Sequence, residues 1–370
     1  ISGYGVLTDQ FSVLAMYTKN ENGDIETPNK TILNKHSDMK SGLLKAVYDI
    51  DESQQVVANF QSVEDSGRRA FSGEKPGRTT IEQLENYNGY TRDTYSIVYT
   101  NNSDSPLLDL HVNAYYNEKS MERGAFEASG KDGDLTYEER FPKRDYRYET
   151  TGLNIRNVSV VNDLIWTYGI EYFKSEQSLK ANGNSYVKEV ENGKTVLEEN
   201  NNPTVSNGPT ARLVSGYVQA NLEFGDVTVI PGLRYDNYEL GGIYDASFNK
   251  ASPKISASWR ATNDLLLKAG YGKIFKGPGL PELLFVRGSK TETPNAQAES
   301  GNHVEFNIDY NLSTITGLEQ TNFYANVYQF TIDNQYHPTK NRALTNSSDF
   351  KNQGIETGIN FNHKDLSGYI

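Results

Sequence analysis

The sequence predicts an all-β protein whose antiparallel strands form a transmembrane barrel. Three observations lead to this prediction: segments in which apolar and polar residues alternate, the absence of a long apolar run, and connections that are alternately short and long. A barrel strand needs apolar residues only at every second position, because one face meets lipid and the other meets the lumen. A mean hydropathy of -0.67 therefore fits a barrel. A spanning helix would need about 20 consecutive apolar residues, which the chain lacks.

Alternation with a period of two can be followed along the chain and predicts fourteen strands. They are residues 10–19, 37–49, 54–64, 90–100, 106–118, 145–160, 164–176, 210–224, 227–239, 251–261, 265–275, 302–311, 319–330 and 352–363. Apolar members of the pattern are expected to face lipid: Val112, Leu267, Ala269, Val304, Phe306 and Ile359. Polar members are expected to face the lumen: Asn113, Arg234, Lys268, Glu305 and Asp309.

The connections between these segments alternate in length. Short ones at 51–53, 102–105, 161–163, 225–226 and 262–264 are built from residues that favour tight turns. Long polar ones lie near 20–36, 65–89, 119–144, 177–209, 240–250, 276–301 and 331–350. Successive antiparallel spans return the chain to two sides of a membrane in turn, so short turns gather on one side and long loops on the other. We expect one barrel domain over residues 1–370, with the long loops extracellular.

Composition limits the function classes. A net charge of -12 disfavours nucleic acid as a partner, and the absence of cysteine removes disulfides, thiolate metal sites and cysteine nucleophiles. The 25 tyrosines fit the aromatic girdles of a membrane barrel or the ordinary β-propensity of tyrosine. No Gly-x-Ser-x-Gly motif is present, and Asp132-Gly133-Asp134 does not continue into a calcium-binding loop, so no enzymatic activity is expected.

The connection at 276–301 differs from the other long ones. It contains Pro278, Pro281 and Pro294, which reduce the conformational entropy lost when a loop becomes ordered. It also contains the apolar run Leu283-Leu284-Phe285-Val286, which a solvated loop does not need. We therefore expect this loop to fold against a plug inside the barrel or against a ligand.

Two segments of this loop carry a family resemblance. Phe275-Lys276-Gly277-Pro278 resembles the Phe-Arg-Ala-Pro motif of TonB-dependent outer-membrane receptors, and Pro294-Asn295-Ala296-Gln297-Ala298-Glu299 resembles their Asn-Pro-Asn-Leu-Lys-Pro-Glu motif. The motif positions are Phe275, Lys276, Gly277, Pro278, Leu280, Pro281, Glu282, Leu283, Pro294, Asn295 and Glu299. The stretch Thr167-Tyr168-Gly169-Ile170-Glu171-Tyr172 is most similar to the haem and haemoglobin branch of the family.

The resemblance implies a 22-stranded barrel that is filled by an N-terminal plug. The strands of this barrel would cross the outer membrane of a Gram-negative bacterium many times. Such a plug contacts the TonB-ExbB-ExbD energy-transducing complex, while the barrel contacts lipid and lipopolysaccharide. Neither the plug nor the last strands are recognisable here, so the chain is expected to be a fragment of that barrel. The resemblance implies no permanently bound cofactor, and a transported ligand that is haem or a ferric siderophore.

The resemblance also suggests ligand-binding residues. Haem receptors of this family usually carry a histidine between the two motifs, but this chain has none from 275 to 299. Its five histidines are His36, His111, His303, His337 and His363. His337 is the best remaining iron donor, with Tyr336 beside it. Arg287 and Lys290 would contact the haem propionates. Leu284 and Phe285 would contact the porphyrin. The alternatives are solvated loop side chains, a ferric-siderophore receptor, and a passive porin or adhesin barrel.

Overall fold

A computed structural model describes residues 1–23, 25–26, 28, 31–32, 37–68, 79–82, 87–131, 134–181, 185–191, 194–200, 204–242, 245–280, 297–338, 344–364 and 366–370. The described residues form 21 strands and one short helix, α1 (Ser313–Thr316). The strands are β1 (Ser2–Thr8), β2 (Phe11–Asn22), β3 (Ile25–Glu26), β4 (Thr31–Ile32), β5 (Ser37–Asp49), β6 (Gln54–Arg68), β7 (Thr79–Glu82), β8 (Tyr87–Asn102), β9 (Asp109–Lys131), β10 (Asp134–Val161), β11 (Leu164–Ala181), β12 (Ser185–Glu191), β13 (Lys194–Asn200), β14 (Thr204–Phe224), β15 (Val227–Gly241), β16 (Ala246–Arg260), β17 (Leu265–Lys276), β18 (Glu299–Asn311), β19 (Gln320–Pro338), β20 (Leu344–His363) and β21 (Leu366–Tyr369).

Sixteen of these strands form one continuous antiparallel ladder. Its order is β1, β2, β5, β6, β8, β9, β10, β11, β14, β15, β16, β17, β18, β19, β20 and β21, each paired with the next. The hairpin β12–β13 joins the ladder through β10, and β7 joins it through β9, while β3 and β4 pair separately. Over the described ranges, no helix has the length and apolarity that a membrane crossing requires. The predicted all-β architecture of consecutive antiparallel strands is confirmed.

The strand registers sort side chains onto two faces. One cross-strand row contains Ala257, Ala269, Phe306, Val327 and Ile355. Because successive side chains of a strand point to opposite faces, the ladder places the six residues predicted to face lipid on this same face. The five predicted lumenal residues lie on the opposite face. We call the first the outer face and the second the inner face.

An aromatic row marks one border of the apolar outer face. Phe60, Tyr95 and Tyr116 are cross-strand neighbours on β6, β8 and β9, with ring centroids 4.9 Å and 6.2 Å apart. Two residues further toward the long connections, Glu118 lies opposite Glu149, and the Tyr116 hydroxyl donates a 2.8 Å hydrogen bond to Glu149. An amphipathic ring between apolar and charged rows is the arrangement of an interfacial girdle.

Other tyrosines lie on the inner face and cover glycines. Tyr115 lies across Gly152, and Tyr217, Tyr324 and Tyr328 likewise lie across the glycines directly opposite them, Gly169, Gly358 and Gly354. A Cβ at any of these glycines would overlap the tyrosine ring or hydroxyl. Glycine thus lets each tyrosine side chain lie flat against the wall, and a larger residue would displace the tyrosine. Tyrosine abundance thus has a second origin besides the girdle.

The long connections are more ordered than the polar sequence suggested. Most of 119–144 belongs to β9 and β10, which remain paired as far as Lys131 and Asp134. Part of 177–209 forms the paired strands β12 and β13. The strands β19 and β20 extend in the same way into 331–350. These segments were expected to be loops because their residues are polar on both faces. A paired ribbon whose residues are polar on both faces leaves no apolar period in the sequence.

Candidate ligand-binding site on the inner wall

The first motif packs onto the inner wall. β17 ends at Lys276, and the chain then turns so that Pro278 and Leu280 are buried, with Leu280 only 4% exposed. Leu280 packs with Ala211, Leu213, Tyr238 and Leu240, which form an apolar cluster on β14 and β15. The described beginning of this loop packs against the barrel wall. The apolar run at 283–286, for which we expect contact with a plug or a ligand, lies outside the described residues.

The apolar cluster borders a polar part of the inner face. Leu213 and Tyr238 are cross-strand partners, and the next inner-facing pair along the same strands is Ser215 and Asp236. The two pairs are two residues apart along their strands, so they share one face. Phe173 and Phe248 extend the cluster across β11 and β16, and Phe275 packs against it from β17. This patch gives the motif an apolar surface on which to pack.

Specific contacts hold the motif on this surface. The Tyr238 hydroxyl donates a hydrogen bond to the carbonyl oxygen of Pro278. Gly277 lies against the Tyr238 ring so closely that a Cβ at this position would overlap ring carbons. At the base of the loop, Lys276 and Glu299 are register partners, and their Nζ and Oε2 atoms are 3.3 Å apart. Both ends of the loop are therefore fixed to neighbouring strands.

A cavity of about 470 Å³ lies beside the packed motif. Its apolar and aromatic lining includes Tyr90, Met121, Tyr148, Phe173, Tyr238 and Leu280. Lys119 adds a cation, and Thr150 and Ser175 add two hydroxyls that hydrogen-bond to each other at 2.7 Å. Pockets of a few hundred Å³ with aromatic walls and a few polar groups are typical sites for small organic ligands. This cavity can hold an apolar, flat group that carries an anionic edge.

A charge network lies next to the cavity on the same wall. The Arg234 guanidinium contacts Glu171 at 2.8 Å and Asp236 at 2.7 Å, and the Ser215 hydroxyl donates a 2.6 Å hydrogen bond to Asp236. Asp236 is 3% exposed and Ser215 2% exposed. A buried carboxylate with two donors is electrostatically satisfied. This network therefore stabilises the wall between β11, β14 and β15.

Several predicted site residues lie outside the described part of the chain. These are His36, Pro281, Glu282, Leu283, Leu284, Phe285, Arg287, Lys290, Pro294 and Asn295. Tyr336 and His337 were expected on a loop, but their backbones belong to β19 and pair with Asn346 and Thr345 on β20. His303 lies on the inner face of β18, opposite Gly272. The described residues contain no cluster of three or more His, Asp or Glu side chains that could hold a metal ion.

Apart from Leu280 of the motif, the residues that line the cavity were not singled out from the sequence. Tyr238 and Leu240 have the same strand phase as the polar Arg234 and Asp236, so they are exceptions to the polar phase of β15. Their partners Leu213 and Ala211 are similar exceptions on β14. Apolar residues in the polar phase of two paired strands were the available signal. The structure joins these residues to Phe275, Gly277, Pro278 and Leu280 of the predicted motif.

Consecutive antiparallel strands with an apolar outer face and a polar inner face define the wall of a transmembrane β-barrel. Residues 45–369 match the family described as TonB dependent receptor-like, beta-barrel. The chain belongs to this family, whose members are transport receptors.

Individual relatives match either a smaller part of the chain or the whole chain at low sequence identity. The chain is similar to Heme/hemopexin utilization protein C of Haemophilus influenzae (strain 86-028NP), with 27% identity over 189 residues, which is 50% of this chain and 23% of the relative. Among solved structures, the FrpB iron transporter of Neisseria meningitidis (F3-3 variant) aligns with a TM-score of 0.74 and 20% identity, over 98% of this chain and 56% of that one. The Serratia marcescens hemophore receptor HasR, solved with its hemophore HasA and heme, aligns with a TM-score of 0.66 and 16% identity, over 98% and 58%. The chain thus covers under a quarter of the curated relative and little more than half of each solved chain.

Proposed function

We propose that this chain is part of the barrel of an energy-coupled outer-membrane receptor that imports haem, either free or taken from a haem-carrying protein. Family membership supports transport as the activity, and similarity to haem and hemopexin utilization proteins over half the chain supports haem as the ligand. The observation that carries the proposal is the aromatic cavity beside the packed motif. Its volume, apolar walls and single cation suit part of a porphyrin.

The chemistry of haem assigns roles to the residues. The porphyrin face needs apolar contacts, for which Phe173, Leu280 and Met121 are available in the cavity. A propionate needs a cation, and Lys119 supplies one. Ferric iron prefers an imidazole or a phenolate. His337 and Tyr336 remain our proposed iron donors, with Arg287, Lys290, Leu284 and Phe285 as further contacts from the motif loop.

The same proposal includes the membrane and its partners. Residues 1–370 would form a single barrel domain with its long loops outside the cell, surrounded by outer-membrane lipid and lipopolysaccharide. Energy would come from the TonB-ExbB-ExbD complex through a plug. The short turns, such as Asp51–Ser53, where the Ser53 amide and hydroxyl donate to Asp51 at 2.9 Å and 2.8 Å, would face the periplasm.

Haem binding by the purified receptor tests the proposal. Hemin is titrated into wild type, His337→Ala and the matched control His363→Ala, whose residue ends β20 at the short-turn end of the barrel. Wild type and the control are expected to give the same Soret shift and to support growth on hemin as the iron source, whereas His337→Ala loses both. Unchanged binding and growth in His337→Ala would remove His337 from the site.

The second candidate is a ferric-siderophore receptor, and one observation favours it. Residues 275–299 contain no histidine, and a chelator that already encloses its iron needs no protein ligand to the metal. Wild-type protein that gives no Soret shift with hemin, but supports growth on a ferric siderophore, would replace the haem proposal with this one.

A further inference from the structure

Tyr238 is a buried residue of the inner wall that lies against the motif. It is 4% exposed, and its ring lies between Phe173 and Phe248, with both centroids 6.4 Å away. The Phe173 contact is edge-on, with an interplanar angle of 69°. Aromatic neighbours in such geometries fix the orientation of a ring. The Tyr238 hydroxyl is therefore held in one direction, toward the loop.

Two adjacent residues of the loop fit this side chain. The carbonyl oxygen of the buried Pro278 accepts the hydrogen bond of the Tyr238 hydroxyl. A buried carbonyl without a donor is unfavourable, so this bond favours the packed position of the segment. Gly277 leaves no space for a Cβ against the Tyr238 ring. Ring and hydroxyl thus select the backbone path of residues 277–280.

The other end of the loop is fixed as well. Glu299 is 8% exposed and pairs with Lys276 across β17 and β18. Two residues later, a Cβ at Gly301 would overlap the carbonyl oxygen of Thr331 on β19, so the two strands approach closely there. Residues 281–296 consequently join two segments whose positions the wall determines.

We propose that Tyr238 is the positioning residue of the motif loop: it holds residues 277–280 on the inner wall and thereby sets where the loop meets the transported ligand. This inference rests on the proposed function for its ligand, but the positioning itself is independent of which ligand is carried. Because the hydroxyl of Tyr238 is bonded to Pro278 and its ring lines the cavity, Tyr238→Phe removes the first contact and keeps the second.

The test uses the absence of cysteine from the chain. A single cysteine at Ser289 carries a spin label, and its mobility is recorded in the receptor in lipid for wild type and Tyr238→Phe. The matched control is Tyr271→Phe, which loses a 3.0 Å hydrogen bond to Asn302 away from the motif. Tyr238→Phe is expected to raise label mobility and to weaken hemin binding roughly 3- to 10-fold, as the loss of one buried hydrogen bond would. The control is expected to change neither.

Gly277→Ala provides an independent variant, with the same direction of change. Because both variants loosen the same segment from Tyr238, their effects on hemin affinity should be less than multiplicative in the double variant. Electrophoretic heat modifiability checks that each barrel is folded. Label mobility that is unchanged in both Tyr238→Phe and Gly277→Ala overturns the positioning role, as does raised mobility with unchanged hemin affinity. If label mobility is raised in the variants while neither wild type nor variants bind hemin, the positioning role stands and the haem proposal is overturned.

Discussion

Replacing Arg234 by methionine should destabilise the barrel more than replacing any exposed ion-pair partner. Asp236 is 3% exposed and accepts hydrogen bonds from Arg234 at 2.7 Å and from Ser215 at 2.6 Å. In Arg234→Met the carboxylate keeps only the hydroxyl donor and loses its countercharge. Glu171 loses the same cation, which lies 2.8 Å away in the wild type.

The magnitude follows from burial. Removing one partner of a fully buried pair costs about 3–5 kcal/mol. Here the side chains of Arg234 and Glu171 are 34% and 29% exposed, so water stabilises part of the orphaned charge and a loss of about 2 kcal/mol is expected. The matched control is Lys268→Met: Lys268 and Asp309 also lie 2.6 Å apart, but their side chains are 46% and 47% exposed. Lys268→Met should lower the free energy of unfolding by less than about 1 kcal/mol.

The assay is urea unfolding in lipid vesicles, followed by the fluorescence of the two tryptophans, Trp166 and Trp259. Arg234→Met should lower the unfolding midpoint, and Arg234→Met combined with Asp236→Asn should recover part of the loss because no uncompensated carboxylate remains at that position. Equal losses in Arg234→Met and Lys268→Met, or no recovery in the double variant, would refute the reasoning that burial of Asp236 sets the cost.

Three further predictions concern the strand register, a close strand contact and a short turn. Cysteine at Glu305 should react quickly with a membrane-impermeant thiol reagent, and cysteine at the adjacent Phe306 slowly, since the register places them on opposite faces; equal rates would contradict the inner and outer assignment. Gly301→Ala should cost about 1–3 kcal/mol in the same unfolding assay, because its Cβ would overlap a backbone oxygen, and an unchanged midpoint would disprove that close approach. The amide of Ser53 lowers the pKa of Asp51, so the stability that this turn contributes should be present above the ordinary pKa of aspartate and fall as pH drops through the lowered value; Asp51→Asn should remove that pH dependence, and unfolding midpoints whose pH dependence is the same in both proteins would refute it.

The barrel wall was predictable because lipid and lumen impose opposite chemistry on successive residues. On β18 this produces Val304 and Phe306 on one side of the sheet and Glu305 on the other, a pattern visible without any structure. Turn residues between the strands then fix the hairpin order. The strand extensions into 119–144 and 331–350 were not predictable in the same way, since polar residues on both faces leave no alternation to recognise.

The candidate site was only half predictable. The motif was found from its order along the chain, and Phe275, Gly277, Pro278 and Leu280 do come together on the inner wall. Their partner Tyr238 lies some 40 residues earlier and is brought to the motif by two intervening hairpin pairings. Such contacts depend on the register of several strands at once, and a one-residue slip would turn Tyr238 to the outer face.

Growth on hemin tests the proposed function most directly. The receptor that contains this chain is expressed in a Gram-negative strain that lacks its own haem receptors, with and without a functional TonB protein, and hemin is the iron source. Growth is expected only when both the receptor and TonB are present. Growth that does not depend on TonB would contradict energy-coupled import, and no growth on hemin, combined with TonB-dependent growth on a ferric siderophore, would contradict haem as the ligand.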